Sequence, residues 1–333
     1  MNTIRLVLVL AALLVVSLVA PRADAQEPAE APVQEPAAQA GPAGNTHPAG
    51  RLLARSASAA NPFGVPAGAP TMDEAGKAAF ARAVDLSPLR DLAVQHNGRV
   101  KILDTLARET VSALTGRHDF VDFIHHENGE IEKVRYDPLF TMLDMMIDPA
   151  YYLHKPLIHV NYLPLREAYL ELAFPDDPDA QLRWKKLTRV SPAMVETLGG
   201  MIFDAYGDSP PFRQGIQRAE RATDLFTFGV NNLLMIAPES KDQPWRHLAT
   251  APAGSPVADA AARLGAAWRA GDAAGVSEAV KALAAALPTI NPEQYPTTKR
   301  ALELTYNRAN AFEWGYWVYL LSLLALVLAF GTG

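Results

Sequence analysis

Cysteine is absent from all 333 residues of the sequence. Disulfide bonds, thiolate metal ligands and cysteine nucleophiles are therefore excluded. An excess of basic residues is also lacking, because 30 Lys and Arg stand against 36 Asp and Glu, for a formal net charge of -6. Proteins that bind a phosphate backbone need a basic surface, so no nucleic-acid partner is expected. The Gly-x-Ser-x-Gly, P-loop and dinucleotide-binding signatures are missing as well.

The first 25 residues have the layout of a secretory signal peptide. A basic head (residues 1–5) precedes an apolar run (residues 6–20), and Ala23-Asp24-Ala25 has the small-x-small pattern of a signal peptidase site. We therefore expect residues 1–25 to be a signal peptide that exports the rest of the chain. An uncleaved anchor is the alternative, because the apolar run is shorter than the roughly 20 residues of a full membrane span.

The other end of the chain predicts a membrane-spanning helix at residues 313–330. Residues 314–330 carry no charge, and Trp314, Tyr316, Trp317 and Tyr319 cluster at their start. Clustered Trp and Tyr are typical of the aromatic belt where a helix enters a bilayer. We expect the lipid bilayer to surround this helix, with the protein in the bacterial inner membrane and its main domain on the periplasmic side. A buried core helix is the alternative.

Between the two ends, composition predicts a linker and one domain. Residues 26–70 are rich in Ala, Pro, Gly, Glu and Gln, with few large side chains to bury, so we expect a disordered tether. Residues 71–312 should form a mainly α extracytoplasmic domain with one small β-hairpin.

Local signals place the elements of this domain. Thr71 to Glu74 has the pattern of a capping box for a helix that ends near Val84, and Asn97-Gly98 favours a tight hairpin turn. Asp104 should cap a helix that ends at Gly116, and Asp137-Pro138 should begin the next one. Further helices are predicted near 165–173, 191–205 and 216–236, followed by two Ala-rich amphipathic helices, 257–268 and 276–287.

A polar cluster after Gly116 is the candidate metal site. It contains His118, Asp119, Asp122, His125, His126 and Glu127. If the segment were helical, His118, Asp122, His125 and His126 would share a face, and two imidazoles with a carboxylate suit zinc or iron. A metal-dependent envelope hydrolase that uses His118, His125 and His126 is therefore one hypothesis. The residues do not follow the order His-Glu-x-x-His and a turn signal follows them, so we prefer a solvated polar face.

Three stretches resemble a known family. Residues 92–108 are similar to the signature near the start of the extracytoplasmic domain in haem-attachment proteins of cytochrome c biogenesis System II, the CcsA/ResB type. Residues 148–158 are similar to the family segment that leads into Lys-Pro-Leu-Ile, and residues 295–308 with Phe312 to its approach to the next membrane helix. The sequence departs from the first signature at Ile102, where proline is expected.

The resemblance implies a membrane-tethered, non-catalytic subunit, or an N-terminal fragment, of a cytochrome c haem-attachment complex. Its partners would be a multi-span haem-handling membrane protein and apocytochrome c, and haem would reach this chain only through a partner. The Trp-rich loop and the transmembrane histidines of the family lie in later membrane helices, so none is carried over to these residues. A general envelope scaffold or binding domain is the alternative outside the family.

Three cations in the first stretch are the candidate contacts with a partner. Arg99, Lys101 and Arg108 lie within ten residues of one another. They could dock an acidic surface or a haem propionate, for which Arg offers a planar fork of donors. Alternatively, they are solvated edges of a strand and a helix.

Overall fold

The computed structural model describes residues 48–125, 131–309 and 311–331. The predicted signal peptide (1–25) and the first part of the predicted linker (26–47) lie outside the described residues. The described chain is mainly helical, which confirms the predicted mainly α class, but it contains three small antiparallel sheets where the sequence predicted a single hairpin.

Twelve α-helices and six short strands make up the described chain. The helices are α1 (Pro48–Ser58), α2 (Glu74–Ala83), α3 (Leu103–Thr115), α4 (Pro138–Ile147), α5 (Leu163–Ala173), α6 (Pro178–Leu187), α7 (Pro192–Tyr206), α8 (Pro210–Phe228), α9 (Pro256–Arg269), α10 (Ala273–Ala286), α11 (Thr298–Ala309) and α12 (Ala311–Gly331). The strands are β1 (Ala93–His96), β2 (Arg99–Ile102), β3 (Phe120–His125), β4 (Ile131–Tyr136), β5 (Ile158–His159) and β6 (Arg189–Val190). They pair as three antiparallel two-stranded sheets, β1 with β2, β3 with β4 and β5 with β6.

The chain consists of two compact units. The larger unit is Thr46–Asn307, and the described part of the smaller one is residues 308–309 and 311–331, which is mostly α12. A single hydrophobic cluster, drawn from elements between α1 and α10, forms most of the core of the larger unit. Burial of this apolar surface is the main force that holds the many short helices together.

The folded domain begins earlier than predicted. Residues 48–70 include helix α1, where Leu52 is fully buried, and a loop in which Phe63 is 2% exposed. The backbone of Phe63 packs directly on α9, at Gly265, where no side chain stands in the way. The prediction of a disordered linker is therefore wrong for residues 48–70. The average composition of residues 26–70 gives little weight to these two large apolar side chains, but their burial is enough to fix the segment to the core.

Two predicted caps and both boundaries of one predicted helix are also wrong. Asp73 caps α2 through Gly76 N, whereas Thr71 donates its hydroxyl to Asp148. Asp104 lies inside α3, and Ile102 occupies the capping position without a side-chain hydrogen bond. Helix α8 was predicted at 216–236 but runs from Pro210 to Phe228. It can start at Pro210 because the first N–H groups of a helix have no partner within it, so the N–H that proline lacks is not needed there.

The strongest local signals are confirmed. Asn97 and Gly98 both have positive φ angles, 49° and 70°, as the tight turn between β1 and β2 requires. Gly116 ends α3 in the left-handed conformation, and Asp137 caps α4. In the Ala-rich pair α9 and α10, all eight residues that define the predicted apolar faces are buried: Val257, Ala261, Leu264, Trp268, Val276, Val280, Leu283 and Leu287.

Helix α12 matches the predicted span. Its segment Trp314–Gly331 has a mean hydropathy of 1.8, and none of it is buried within the protein. By length and composition, it is the one helix of the described residues that can cross a membrane.

Candidate functional site

The predicted histidine cluster is not brought together as a helical face. His118 is exposed in a bend, and His125 is the last residue of strand β3, while His126 lies outside the described residues. Asp122 is buried in β3, where its Oδ2 accepts a 2.6 Å hydrogen bond from the Tyr151 hydroxyl and lies 3.0 Å from Lys155 Nζ. Across residues 48–125, 131–309 and 311–331, no group of three or more His, Asp, Glu or Cys side chains is placed to hold a metal.

A buried ion cluster, formed by Lys77, Asp144 and Asp148, is the densest polar feature of the core. Lys77 Nζ lies 2.7 Å from Asp144 Oδ1 and 2.8 Å from Asp148 Oδ2, and all three side chains are fully buried. Trp268 Nε1 and the Tyr152 hydroxyl also donate to Asp144, at 2.8 Å and 2.7 Å. Burial raises the pKa of Asp144, and the opposing effects of Lys77, Trp268 and Tyr152 only partly offset it.

This cluster has a structural role. It joins α2 (Lys77), α4 (Asp144) and α9 (Trp268), which are far apart in sequence. Buried charges are tolerated where they are paired and hydrogen-bonded, and these side chains expose no surface through which a ligand could reach them. The cluster therefore fixes the packing of three helices.

The candidate binding site is an open groove of about 610 Å³ between the β1–β2 hairpin, the loop before α9 and helix α11. We call it the basic groove. Its cations are Arg99, Lys101, Lys241, Lys299 and Arg300, its apolar surface comes from Val100, Pro238, Trp245 and Pro296, and Glu303 is its acidic residue.

A tilted aromatic contact and a hydrogen bond support Trp245 in the floor of the basic groove. Trp245 and Tyr295 are both nearly buried, with ring centroids 6.1 Å apart. The Tyr295 hydroxyl accepts a 2.9 Å hydrogen bond from Ala93 N in strand β1. The Arg300 guanidinium lies 5.0 Å from the centre of the Tyr295 ring, within the range of a cation–π contact. The floor is therefore preformed.

Helix α11 is fixed to the start of α3 by side chains on one of its faces. The Glu303 carboxylate accepts hydrogen bonds from Thr105 Oγ1 at 2.5 Å and from Ile102 N at 3.3 Å. Asn307 Nδ2 donates to Thr105 Oγ1 at 2.9 Å and to Asp104 Oδ2 at 3.2 Å. The first N–H groups of α3, those of Leu103 and Asp104, donate to the backbone carbonyls of Leu92 and Arg90, and Glu303 adds a negative charge at the positive end of the helix.

Three of the groove cations have no counterion among the described residues. The side chains of Arg99, Lys241 and Lys299 make no ion pair or hydrogen bond with this part of the chain. By contrast, Lys101 pairs with Glu109 at 2.5 Å, and Arg300 lies 3.3 Å from Asp91. A cationic rim above an apolar floor suits a ligand that combines carboxylate or phosphate groups with an apolar body.

Burial, with a further contribution from Lys101, lowers the pKa of His96 beside the groove. His96 is therefore neutral at pH 7, and the cationic character of the site comes from its Arg and Lys residues.

Two of the three predicted contact cations lie in the basic groove. Arg99 and Lys101 line it, whereas Arg108 does not and instead donates its Nε to Asp104 Oδ2 at 2.7 Å. Sequence reasoning missed Lys241 and Lys299. Lys299 follows Tyr295-Pro296, the start of the third family-like stretch, which is the one signal that could have indicated it.

Comparison with protein-family models, with curated proteins and with solved structures finds no match for this chain. The function of the basic groove therefore has to be inferred from its own geometry and from the sequence resemblance.

Proposed function

We propose that this chain is a membrane-tethered, non-catalytic subunit, or the N-terminal part, of a cytochrome c haem-attachment complex, and that the basic groove docks an anionic group of that complex. One observation carries the proposal. Residues 92–108 and 295–308, two of the three stretches that resemble System II proteins, are distant in sequence but meet in the structure through Glu303 and Asn307. The basic groove lies where they meet.

The chemistry of the groove fits a haem that a partner holds. Haem has an apolar ring and anionic propionates, which match the apolar floor and the unpaired rim cations Arg99, Lys241 and Lys299. The residues that line the groove include no His, Met or Cys, the usual axial ligands of haem iron. The iron would therefore be held by the partner, and this chain would contact the propionate edge.

A docking subunit can assist thioether formation by geometry alone. The reaction joins apocytochrome thiols to the vinyl groups of haem, and holding two reactants in register lowers the entropic part of the barrier. Helix α12 would be the tether. The signal-like N-terminus supports an extracytoplasmic position for the larger unit, in the compartment where c-type cytochromes are assembled.

The test compares two triple variants in the parent organism. Arg99→Ala, Lys241→Ala and Lys299→Ala together remove the unpaired rim. Arg183→Ala, Lys186→Ala and Lys281→Ala remove the same charge from exposed positions outside the groove. We expect the groove variant to lower holocytochrome c, measured by haem staining of membrane proteins, at unchanged level of this chain. The control variant should leave holocytochrome c at the parent level.

Two outcomes would contradict the proposal. If both triple variants behave alike, the groove is not the docking site. Normal holocytochrome c after deletion of the whole gene would remove the haem-attachment function itself.

A further inference from the structure

Helix α11 has two faces of different character. The inner face, with Arg300, Glu303 and Asn307, is held by hydrogen bonds to Asp91 and to the start of α3. The outer face exposes Leu302 and Tyr306, four residues apart and therefore neighbours on the helix surface, to 68% and 64%. Because the inner face is fixed, this apolar pair has a fixed position on the larger unit.

The composition of the outer face suits a bilayer surface. Leu302 is apolar and Tyr306 is amphipathic, and the exposed cation Lys299, three residues before Leu302, lies beside them on the same face. Helices that lie in the headgroup region combine an apolar stripe with Lys and Arg, which meet anionic lipids. Tyrosine is enriched at the same depth because its ring is apolar and its hydroxyl is polar.

Chain connectivity places the bilayer within reach of this face. Helix α11 ends at Ala309, and the apolar segment Trp314–Gly331 begins five residues later. At about 3.5 Å per residue, those five residues span at most about 18 Å, well under the full thickness of a membrane. The start of that segment also carries Trp314, Tyr316, Trp317 and Tyr319, so its aromatic belt lies on the side of the membrane from which α11 approaches.

We propose that the outer face of α11 lies in the headgroup region of the bilayer that α12 crosses, and that this contact holds the basic groove at the membrane surface. The inference rests on the membrane tether of the proposed function and adds an orientation to it. A ligand of the groove would then be one presented at the level of the lipid headgroups. A second protein is a poor occupant, because two side chains offer far less than the roughly 800 Å² that each partner buries in a stable interface.

The absence of native cysteine allows a direct test with single spin labels. Leu302→Cys and Tyr306→Cys report on the outer face, Met201→Cys on α7 is an exposed control, and Leu321→Cys on α12 is a control for the bilayer interior. The full chain is placed in nanodiscs of phosphatidylcholine and phosphatidylglycerol. Power saturation then measures the access of oxygen and of a water-soluble nickel chelate to each label.

We expect the labels at 302 and 306 to be several-fold less accessible to the nickel chelate than the label at 201, while oxygen still reaches them. Nickel access equal to that at 201 would overturn the inference, because the face would then be in water. Protection from both reagents would also overturn it, in favour of a protein contact. If the label at 321 is itself accessible to nickel, the tether fails, and the proposed function fails with it.

Discussion

Replacement of Lys77 by methionine tests the buried ion cluster most directly. Methionine is unbranched and similar in length, so Lys77→Met removes the charge with little loss of volume. It leaves the carboxylates of Asp144 and Asp148 fully buried without their cation. Breaking a buried ion pair by removing one partner typically costs about 3–5 kcal/mol, because the remaining charge is uncompensated. We expect a loss of that size in the free energy of unfolding.

A second substitution separates charge from packing. Asp148→Asn keeps the shape of the side chain but removes one of the two stranded carboxylates. The double variant Lys77→Met/Asp148→Asn should therefore be more stable than Lys77→Met alone. Residues in direct contact show a coupling free energy on the order of 1 kcal/mol or more. The remaining carboxylate, Asp144, keeps the hydrogen bonds from Trp268 and Tyr152.

The loss should also depend on pH in a defined direction. Burial already raises the pKa of Asp144 above 3.8, and Lys77 is the largest opposing influence, so its removal raises that pKa further. A group whose pKa is higher in the folded state stabilises the fold while protonated, and this contribution is lost as the pH rises through the folded-state value. The gap between Lys77→Met and the parent should therefore be smallest in acid and widen towards neutral pH.

Urea unfolding of the full chain in detergent micelles, followed by circular dichroism at several pH values, measures these differences. Lys299→Met is the matched control, since this exposed lysine has no partner among the described residues and its loss should leave stability unchanged. A loss for Lys77→Met no larger than for the control, or a gap that narrows as the pH rises, would refute the reasoning.

Three further predictions concern close packing and the membrane. Gly265→Ala would place a Cβ 1.9 Å from the Phe63 carbonyl oxygen, so we expect a loss of about 3 kcal/mol and faster tryptic cleavage within α1. Gly116→Ala combines a φ of +68° with a contact of 2.7 Å to the His159 ring, whereas Gly254→Ala has a φ of +75° in open space. Thermal unfolding should therefore show Gly116→Ala as more destabilised, with Gly254→Ala losing only about 1 kcal/mol. The full chain should stay in the membrane pellet after carbonate washing because the segment Trp314–Gly331 is apolar and uncharged, and release into the supernatant would contradict a span.

The sequence was informative where short-range physics decides the structure. A positive φ at Asn97 and Gly98, and the left-handed end of α3 at Gly116, follow from residue type within a few positions. The two Ala-rich helices α9 and α10 were predictable because their apolar residues repeat at helical spacing.

Sequence reasoning failed where a contact with a residue far away in sequence determines the local structure. The segment around Phe63 is rich in Ala, Pro and Gly, and it is held by residues far away in sequence: it packs against Gly265, about two hundred residues later, and hydrogen-bonds with Met146 and Arg269. The start of α3 could not be predicted locally either, since its first N–H groups donate to the backbone carbonyls of Leu92 and Arg90 and the carboxylate beside it belongs to Glu303. In the buried ion cluster, Asp144 and Asp148 lie at helical spacing in an apolar helix, but nothing nearby indicates Lys77 as their cation.

For the same reason, only some of the cations of the basic groove could be predicted from the sequence. Arg99 and Lys101 are close together on a predicted strand, so their spacing could be seen. Lys241 comes from an irregular loop and Lys299 from the last helix before the predicted span, and only tertiary contacts place them beside the hairpin.

The hydrogen bonds of Glu303 and Asn307 with the start of α3 also have a consequence for the order of folding. They join residues that are 198 to 203 positions apart in sequence. Contacts of such long range form late, after the loop between them has been closed by other packing. While the chain is being made from its N-terminus, the hairpin and α3 exist long before α11 does. The wall that α11 provides is therefore the last part of the basic groove to be completed.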